Sequence, residues 1–401
     1  MSTSVYIAGT GIISAVGNNM SESLDTFRKH RSGIATSEFL QTRHKDIFPV
    51  GEVKLSNEQL AEITGLNSSL SRTILLSYFA ARQALNLLSA EQIKNSRMGF
   101  ISASSVGGMD KTESFFEDYM NDDQSGDLKK VQHHDCGKPT NVVCEKLGIK
   151  GFVSTISTAC SSSANAIMLG ARMIKNNRLD IVIAGGVDPL TRFTLNGFNS
   201  LMIVDRNQCR PLDQNRAGLN LGEGAAYVVL VNEKKLKELN IKPLCELTGY
   251  CNTNDAHHQT ALSETGNGPY LAMQGALEMS GIKASDIDYI NMHGTGTQNN
   301  DSAEGNALSR IFHPHYPMLS STKSFTGHTL GACGAIEAAF SAVAISEGIV
   351  YPNFYFEEAM HGLSVKPETN FLEHRDIKNV LSNSFGFGGN CTSLLFSKVR
   401  S

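Results

Sequence analysis

The chain has 401 residues, 41 % hydrophobic and 18 % charged, with a formal net charge of −4. That length and apolar content predict a large core, as one big domain or two of ordinary size, and mild acidity without a long basic run leaves nucleic acid no electrostatic footprint. Its eight cysteines (136, 144, 160, 209, 245, 251, 333, 391) form no Cys-x-x-Cys pair. This argues against a zinc knuckle or dithiol redox site and favours the reducing cytoplasm.

The chain opens on a strand, Val5 to Ala8, with no basic stretch ahead of an apolar one, so no signal peptide is expected, and no run has the length of a membrane span. Gly9-Thr10-Gly11 is a weak echo of a dinucleotide fingerprint, but Ser14 stands where the third glycine belongs. Helical periodicity follows in Asn18 to Phe27, Ser56 to Glu62 and Ser71 to Leu88, with a strand-like Gly51 to Val53 between the first two. Met98 to Ser102 reads as a strand. Thr112 to Asp135 differs in kind: it is acid-rich, with Phe115, Phe116 and Tyr119 among the charges, and reads either as solvated helix and loop or as a partner-contacting cap.

After a helix at Thr140 to Leu147, Phe152 to Ile174 runs from a β-prone segment through small residues to Cys160. There Ala164, Ile167, Met168, Ala171 and Ile174 begin a helical period. A cysteine at a helix start meets unpaired N–H groups and the positive end of the dipole, so its pKa is expected to fall below the free value of about 8.5. Ser161 to Ala164 are small enough to admit a second molecule. A core cysteine is the plainer alternative. Asp180 to Gly185 is a buried strand, Ala225 to Leu230 another, and Glu233 to Glu238 a charged surface helix between two halves.

The second half repeats the pattern, with helices at Pro269 to Met279, Asp301 to Phe312 and Gly334 to Glu347, and strands at Ile287 to Asn291, Met318 to Ser321, Val380 to Ser382 and Thr392 to Phe396. Mixed or largely parallel sheets between helices follow. Val153 to Ile174 and Leu319 to Phe340 each pass from strand through small residues to helix, one carrying Cys160 and the other His328. Two such units packed face to face bring those turns together. His293, in His-Gly-Thr-Gly-Thr, also follows a strand, and Lys323 lies five residues before His328. No His-Glu-x-x-His occurs, so no metal site is expected.

Four stretches carry a resemblance: Ser157-Thr158-Ala159-Cys160-Ser161-Ser162-Ser163, His293-Gly294-Thr295-Gly296-Thr297, Lys323 through Ala332, and Asn383-Ser384-Phe385-Gly386-Phe387-Gly388-Gly389. In this order, over nearly the whole chain, they resemble the elongating β-ketoacyl-[acyl-carrier-protein] synthases. The resemblance implies the thiolase-like, five-layered αβαβα fold of two similar halves, here 1–242 with the nucleophile and a cap near 112–135, and 243–401 with both histidines. It implies decarboxylative condensation of an acyl group with malonyl on acyl carrier protein, in fatty-acid or specialised polyene or polyketide-like elongation. Cys160, His293 and His328 match the reacting set, Lys323 and Glu337 its supporting pair, and Phe387 the gate. The Cys160 and Phe387 N–H groups match the oxyanion hole, and Thr295 and Thr297 the contacts to the phosphopantetheine arm. No resident cofactor is implied. The expected partners are acyl carrier protein and a second subunit, identical or a chain-length partner. Phe193, Phe198, Leu201 and Met202 are candidates for the acyl channel or for plain core, and Arg210, Asp213 and Glu223 for a structural polar network.

The chain departs from the pattern at Gln298-Asn299-Asn300, where a proline-containing turn is usual, and at Cys333, where the residue is usually small and apolar. Degradative thiolases need a second cysteine in the C-terminal glycine loop, and initiating synthases replace one histidine by asparagine. An inactive chain-length subunit lacks the nucleophile. None of these matches Cys160 with His293 and His328.

Overall fold

The computed structural model describes residues 3–399. Ten strands alternate with helices: β1 Val5–Ser14, β2 Met98–Ala103, β3 Phe152–Ile156, β4 Ile181–Asp188, β5 Gly224–Asn232, β6 Cys245–Asn254, β7 Tyr289–Asn291, β8 Met318–Ser320, β9 Asn379–Phe385 and β10 Asn390–Ser397. The spatial order is β3-β2-β4-β5-β1-β6-β10-β9-β7-β8. Numbered within its own half and taken from its outer edge inward, each half reads third, second, fourth, fifth, first. The two halves therefore share one topology, and they meet where β1 pairs with β6 through Tyr6 and Ile7. β2 pairs in parallel with β3 and β4, and β7 with β8 and β9, whereas β5, β1, β6 and β10 pair antiparallel.

Burial sorts the helices into layers. The helix Arg72–Leu85, capped by the Ser71 side chain on Ile74 N, covers the outer face of β1, β4 and β5. It lies so close that a Cβ at Gly11 would come within 2.0 Å of the Ala80 carbonyl oxygen. Ser162–Lys175 and Cys333–Glu347 pack against each other and against strands of both halves. The second of these is buried all round from Cys333 to Ile345, as a helix needs to be when apolar on every side. Asn267–Ser280 and Gln298–Phe312 cover the far face. The sequence Leu330–Glu347 is long and apolar enough to cross a membrane, yet 89 % of it is buried in this core.

Most expected elements occur within a few residues of their expected ends. β6 was not expected, because Gly249, Asn252 and Asn254 interrupt its apolar alternation. The helix Arg192–Ser200 was not expected either. Gly51 to Val53 is no strand: Gly51 makes a single bridge to Gly222. Thr112 to Asp135 forms the end of a helix, Met109–Asn121, and a 3-10 turn, Leu128–His133. The helix leaves Phe116 and Met120 exposed, at 57 % and 66 %, and is tied down by Arg192 reaching Glu113 and Glu117.

Candidate active site

Cys160 sits on a sharp turn between β3 and the helix Ser162–Lys175. Ala159, just before it, is held at φ +52°, a conformation that a residue with a side chain enters only when its surroundings impose it. Those surroundings are hydrogen bonds. Ser162 Oγ accepts from Thr158 N at 2.7 Å, and Ser161 Oγ meets Asn390 Oδ1 at 2.6 Å. Asn165 Nδ2 donates to Thr158 Oγ1 and to Asn390 Oδ1, both at 2.9 Å, and Ser163 Oγ accepts from Ala335 N at 2.8 Å. The serines expected to leave room for another molecule are instead fully buried and bonded. They hold the turn. Gly386 completes it: a Cβ there would lie 2.9 Å from the Thr158 carbonyl oxygen and 3.1 Å from Cys160 N.

The expected drop in the Cys160 pKa is overturned. Burial pushes the thiol up to about 12, outweighing the Lys323 charge and the Phe387 N–H that bonds the sulfur. Cys160 also stands ahead of the helix, whose cap is Ser161. The desolvation of a thiolate in this pocket exceeds what nearby dipoles return.

His293 follows β7 and His328 lies beyond β8, and their rings meet edge to face with centroids 5.4 Å apart. His328 Nδ1 accepts from Leu330 N at 3.1 Å, which puts the ring proton on Nε2. His293 Nδ1 faces the Lys323 ammonium at 3.4 Å, with the same consequence. Burial, and then the Lys323 charge, hold both imidazoles well below the ordinary histidine value of 6.5. Both are neutral at pH 7, with one N–H each left to offer. Glu304 fixes the His293 backbone by accepting from His293 N at 3.0 Å and Gly294 N at 2.8 Å. Lys323 also donates to the His293 carbonyl at 2.6 Å and pairs with Glu337, and all three side chains are buried. Against the cost of burial, the Glu337 charge keeps Lys323 protonated, while burial lifts the Glu337 carboxyl to about 7. His293, Cys333 and Glu337 offer metal-ligand atoms within 4.8 Å of one another. The Lys323 ammonium already bonds to Glu337 and His293 there.

A cavity of about 290 Å³ is lined by Cys160, His293, His328, Thr295, Thr297 and Phe387. Lys323 and Glu337 stand behind it. Phe387 stacks on Phe198, centroids 5.7 Å apart and 17° between planes, and Gly388 next to it has φ +81°. Phe198 and Met202 line the cavity, Met202 at its exposed mouth. Phe193 instead projects from the surface, 62 % exposed, where its N–H bonds to Glu113. Glu223 pairs with Arg72, Arg210 with Glu357, and Asp213 accepts backbone N–H groups of Glu357 and Glu358; these are structural contacts, but Glu223 stands apart from the other two rather than in one network. Cys391 packs with Leu262, Ala272, Ala303 and Phe385 in an apolar cluster. Asn390, Asp301 and Arg216 were not singled out in the sequence. Asp301 accepts from Thr295 N and Leu212 N, and Arg216 donates to the Thr297 and Gln298 carbonyls, which together shape the threonine loop. For Asp301 and Arg216 the signal is buried charge, which appears only with coordinates.

Residues 2–235 match the family model of the β-ketoacyl synthase N-terminal domain, and residues 244–357 that of the β-ketoacyl synthase C-terminal domain. The chain belongs to the β-ketoacyl synthase family. Over its full length the synthase is 31 % identical to all of nodulation protein E of Rhizobium meliloti (strain 1021). Over 99 % of its length it is 30 % identical to 98 % of 3-oxoacyl-[acyl-carrier-protein] synthase 2 of Staphylococcus aureus (strain COL). Among solved structures, the ketosynthase ApeO in complex with its chain length factor ApeC from Xenorhabdus doucetiae matches at TM-score 0.86 and 29 % identity, covering 99 % of this chain and 98 % of that one. The ishigamide ketosynthase/chain length factor matches at TM-score 0.93 and 24 % identity, each chain covered in full, a likeness of fold. The fold is thus of the thiolase and ketosynthase type, and the synthase is a condensing enzyme acting on acyl thioesters in fatty-acid or polyketide-type elongation.

Proposed function

We propose that this synthase joins an acyl group held on Cys160 to a malonyl group carried by acyl carrier protein, releasing carbon dioxide and a 3-oxoacyl carrier thioester. One observation carries this reading: the thiol and two neutral imidazoles, each with its free N–H on Nε2, line a single cavity. The sulfur attacks the acyl carrier's thioester carbonyl, loses its proton as the S–C bond forms, and expels the carrier thiol. The N–H groups of Cys160 and Phe387 are the donors for the oxyanion of that step. Malonyl thioester then enters past Phe387, its arm along Thr295 and Thr297. The bond to the carboxylate breaks, carbon dioxide leaves, and the electron pair passes into an enolate whose oxygen takes hydrogen bonds from His293 and His328. The enolate carbon attacks the acyl-cysteine carbonyl and the cysteine sulfur departs. Lys323 and Glu337 keep His293 neutral and oriented.

The division at 242/243 puts the nucleophile in one half and both histidines in the other, each half with its own five strands. The second subunit is a chain-length partner, with this chain as the active member. The exposed Phe116, Tyr119 and Met120 on one face of Met109–Asn121 favour such a contact, as does the likeness to ketosynthases solved with chain length factors. Eight free cysteines agree with a cytoplasmic setting.

Intact-protein mass spectrometry after exposure to acyl carrier thioesters tests the reading. An acyl adduct is expected on the native chain and absent from Cys160→Ala. A 3-oxoacyl product formed by Cys160→Ala would mean another nucleophile.

A further inference from the structure

Asp188, the last residue of β4, is fully buried and does not line the cavity. Its carboxylate accepts from Ser104 Oγ at 2.6 Å, Ser105 Oγ at 2.6 Å, Ser105 N at 3.0 Å, Val106 N at 3.0 Å and Gly331 N at 2.6 Å. The first four donors follow β2 and lead into the exposed helix Met109–Asn121. The fifth belongs to the turn Leu330–Ala332, three residues after His328. Leu330, between His328 and Gly331, is held at φ +51° and supplies the N–H that bonds His328 Nδ1. Anchoring Gly331 N to a fixed carboxylate holds Leu330 in that strained conformation, and so holds the donor that selects the His328 tautomer.

We propose that Asp188 is a positioning residue for decarboxylation, acting through Gly331 and Leu330 to keep the His328 Nε2–H turned toward the cavity. The inference rests on the reading of His328 as a donor to the enolate oxygen. A carboxylate is what the position requires, because it accepts on both oxygens. An amide of the same size would turn an N–H₂ toward N–H and O–H donors.

Two variants test this by different routes. Asp188→Asn removes acceptors with little change of shape. Gly331→Ala places a Cβ 2.7 Å from Asp188 Oδ2 and pushes the contact apart. Two steps are measured in each: malonyl-carrier decarboxylation in a Cys160→Gln background, and acylation of native Cys160 by mass spectrometry. In both variants decarboxylation is expected to fall by about tenfold or more while acylation stays within about twofold of the parent. Where Asp188→Asn fails to fold, Gly331→Ala carries the same test. Equal loss of both steps, or no loss of decarboxylation, overturns the assignment. His328→Ala in the same assay separates the two claims: if it decarboxylates normally, the reading of the site is wrong, whereas a dead His328→Ala beside an evenly impaired Asp188→Asn removes only the role of Asp188.

Discussion

The Lys323 ammonium donates to the carbonyl of His293 at 2.6 Å and faces Nδ1 of the same residue at 3.4 Å. One cation thus grips both the backbone and the ring of a residue thirty positions away, and its own countercharge, Glu337, is buried beside it. Orientation of the imidazole and neutrality of the pocket depend on the same nitrogen.

Lys323→Met should therefore damage stability as well as chemistry. Breaking a buried pair by removing one partner costs about 3–5 kcal/mol, because the other charge is left without compensation. In that variant Glu337 keeps a raised folded-state pKa, so the folded protein favours the protonated carboxyl; stability is retained at low pH and lost as pH rises through that pKa. Denaturant titrations at pH 5 and pH 8 are expected to show the larger deficit at pH 8, and Lys323→Met with Glu337→Gln should recover part of it.

His328→Ala is expected to leave a folded chain with malonyl decarboxylation reduced by about two orders of magnitude, the usual effect of losing one oxyanion donor of about 3 kcal/mol. Carbon dioxide release from malonyl carrier measures it. An unchanged rate would strip His328 of its assigned part.

Alkylation by iodoacetamide reads the state of the proposed nucleophile directly. With the thiol pushed up to about 12, the rate at Cys160 should climb about tenfold per pH unit from pH 6 to 9. A plateau starting near pH 7 would mean a resting thiolate.

Because both imidazoles are held well below 6.5, decarboxylation should run level through pH 6.5 and change only at lower pH. An inflection at 6.5, tracked by the rate of acetyl-carrier formation, would indicate ordinary, solvated histidines.

Phe198→Ala removes the ring on which Phe387 stacks, an interaction of about 0.5–1.5 kcal/mol. Entry to the cavity should loosen, with alkylation of Cys160 severalfold faster at fixed pH and the circular dichroism spectrum unchanged.

Much of this was legible in the sequence, because the proposed reacting residues sit on turns written in small residues and glycine. Cys160, His293 and His328 line one cavity, on turns that follow the strands β3, β7 and β8. What escaped depends on the third dimension. A helix-start cysteine suggests an acidic thiol, yet burial reverses the direction, and burial is a property of both halves together. Ser161 to Ser163 look like open space in one dimension and prove to be bonded to Asn390 and Ala335, far along the chain. β6 is hidden in the sequence because Asn252, which breaks its apolar alternation, bonds Asn390 and Thr392 rather than water. Asp188 stands beyond the apolar run Asp180 to Gly185, and its five donors come from segments that no local window contains.

The bonds from Ser161 and Asn165 to Asn390, and from Ser163 to Ala335, make the Cys160 turn a joint product of the middle and last thirds of the polypeptide. During synthesis, then, the sulfur is a plain cysteine until the ribosome has released nearly all of the chain. Truncation before β10 removes Asn390, and with it two of the bonds that hold the Cys160 turn in shape.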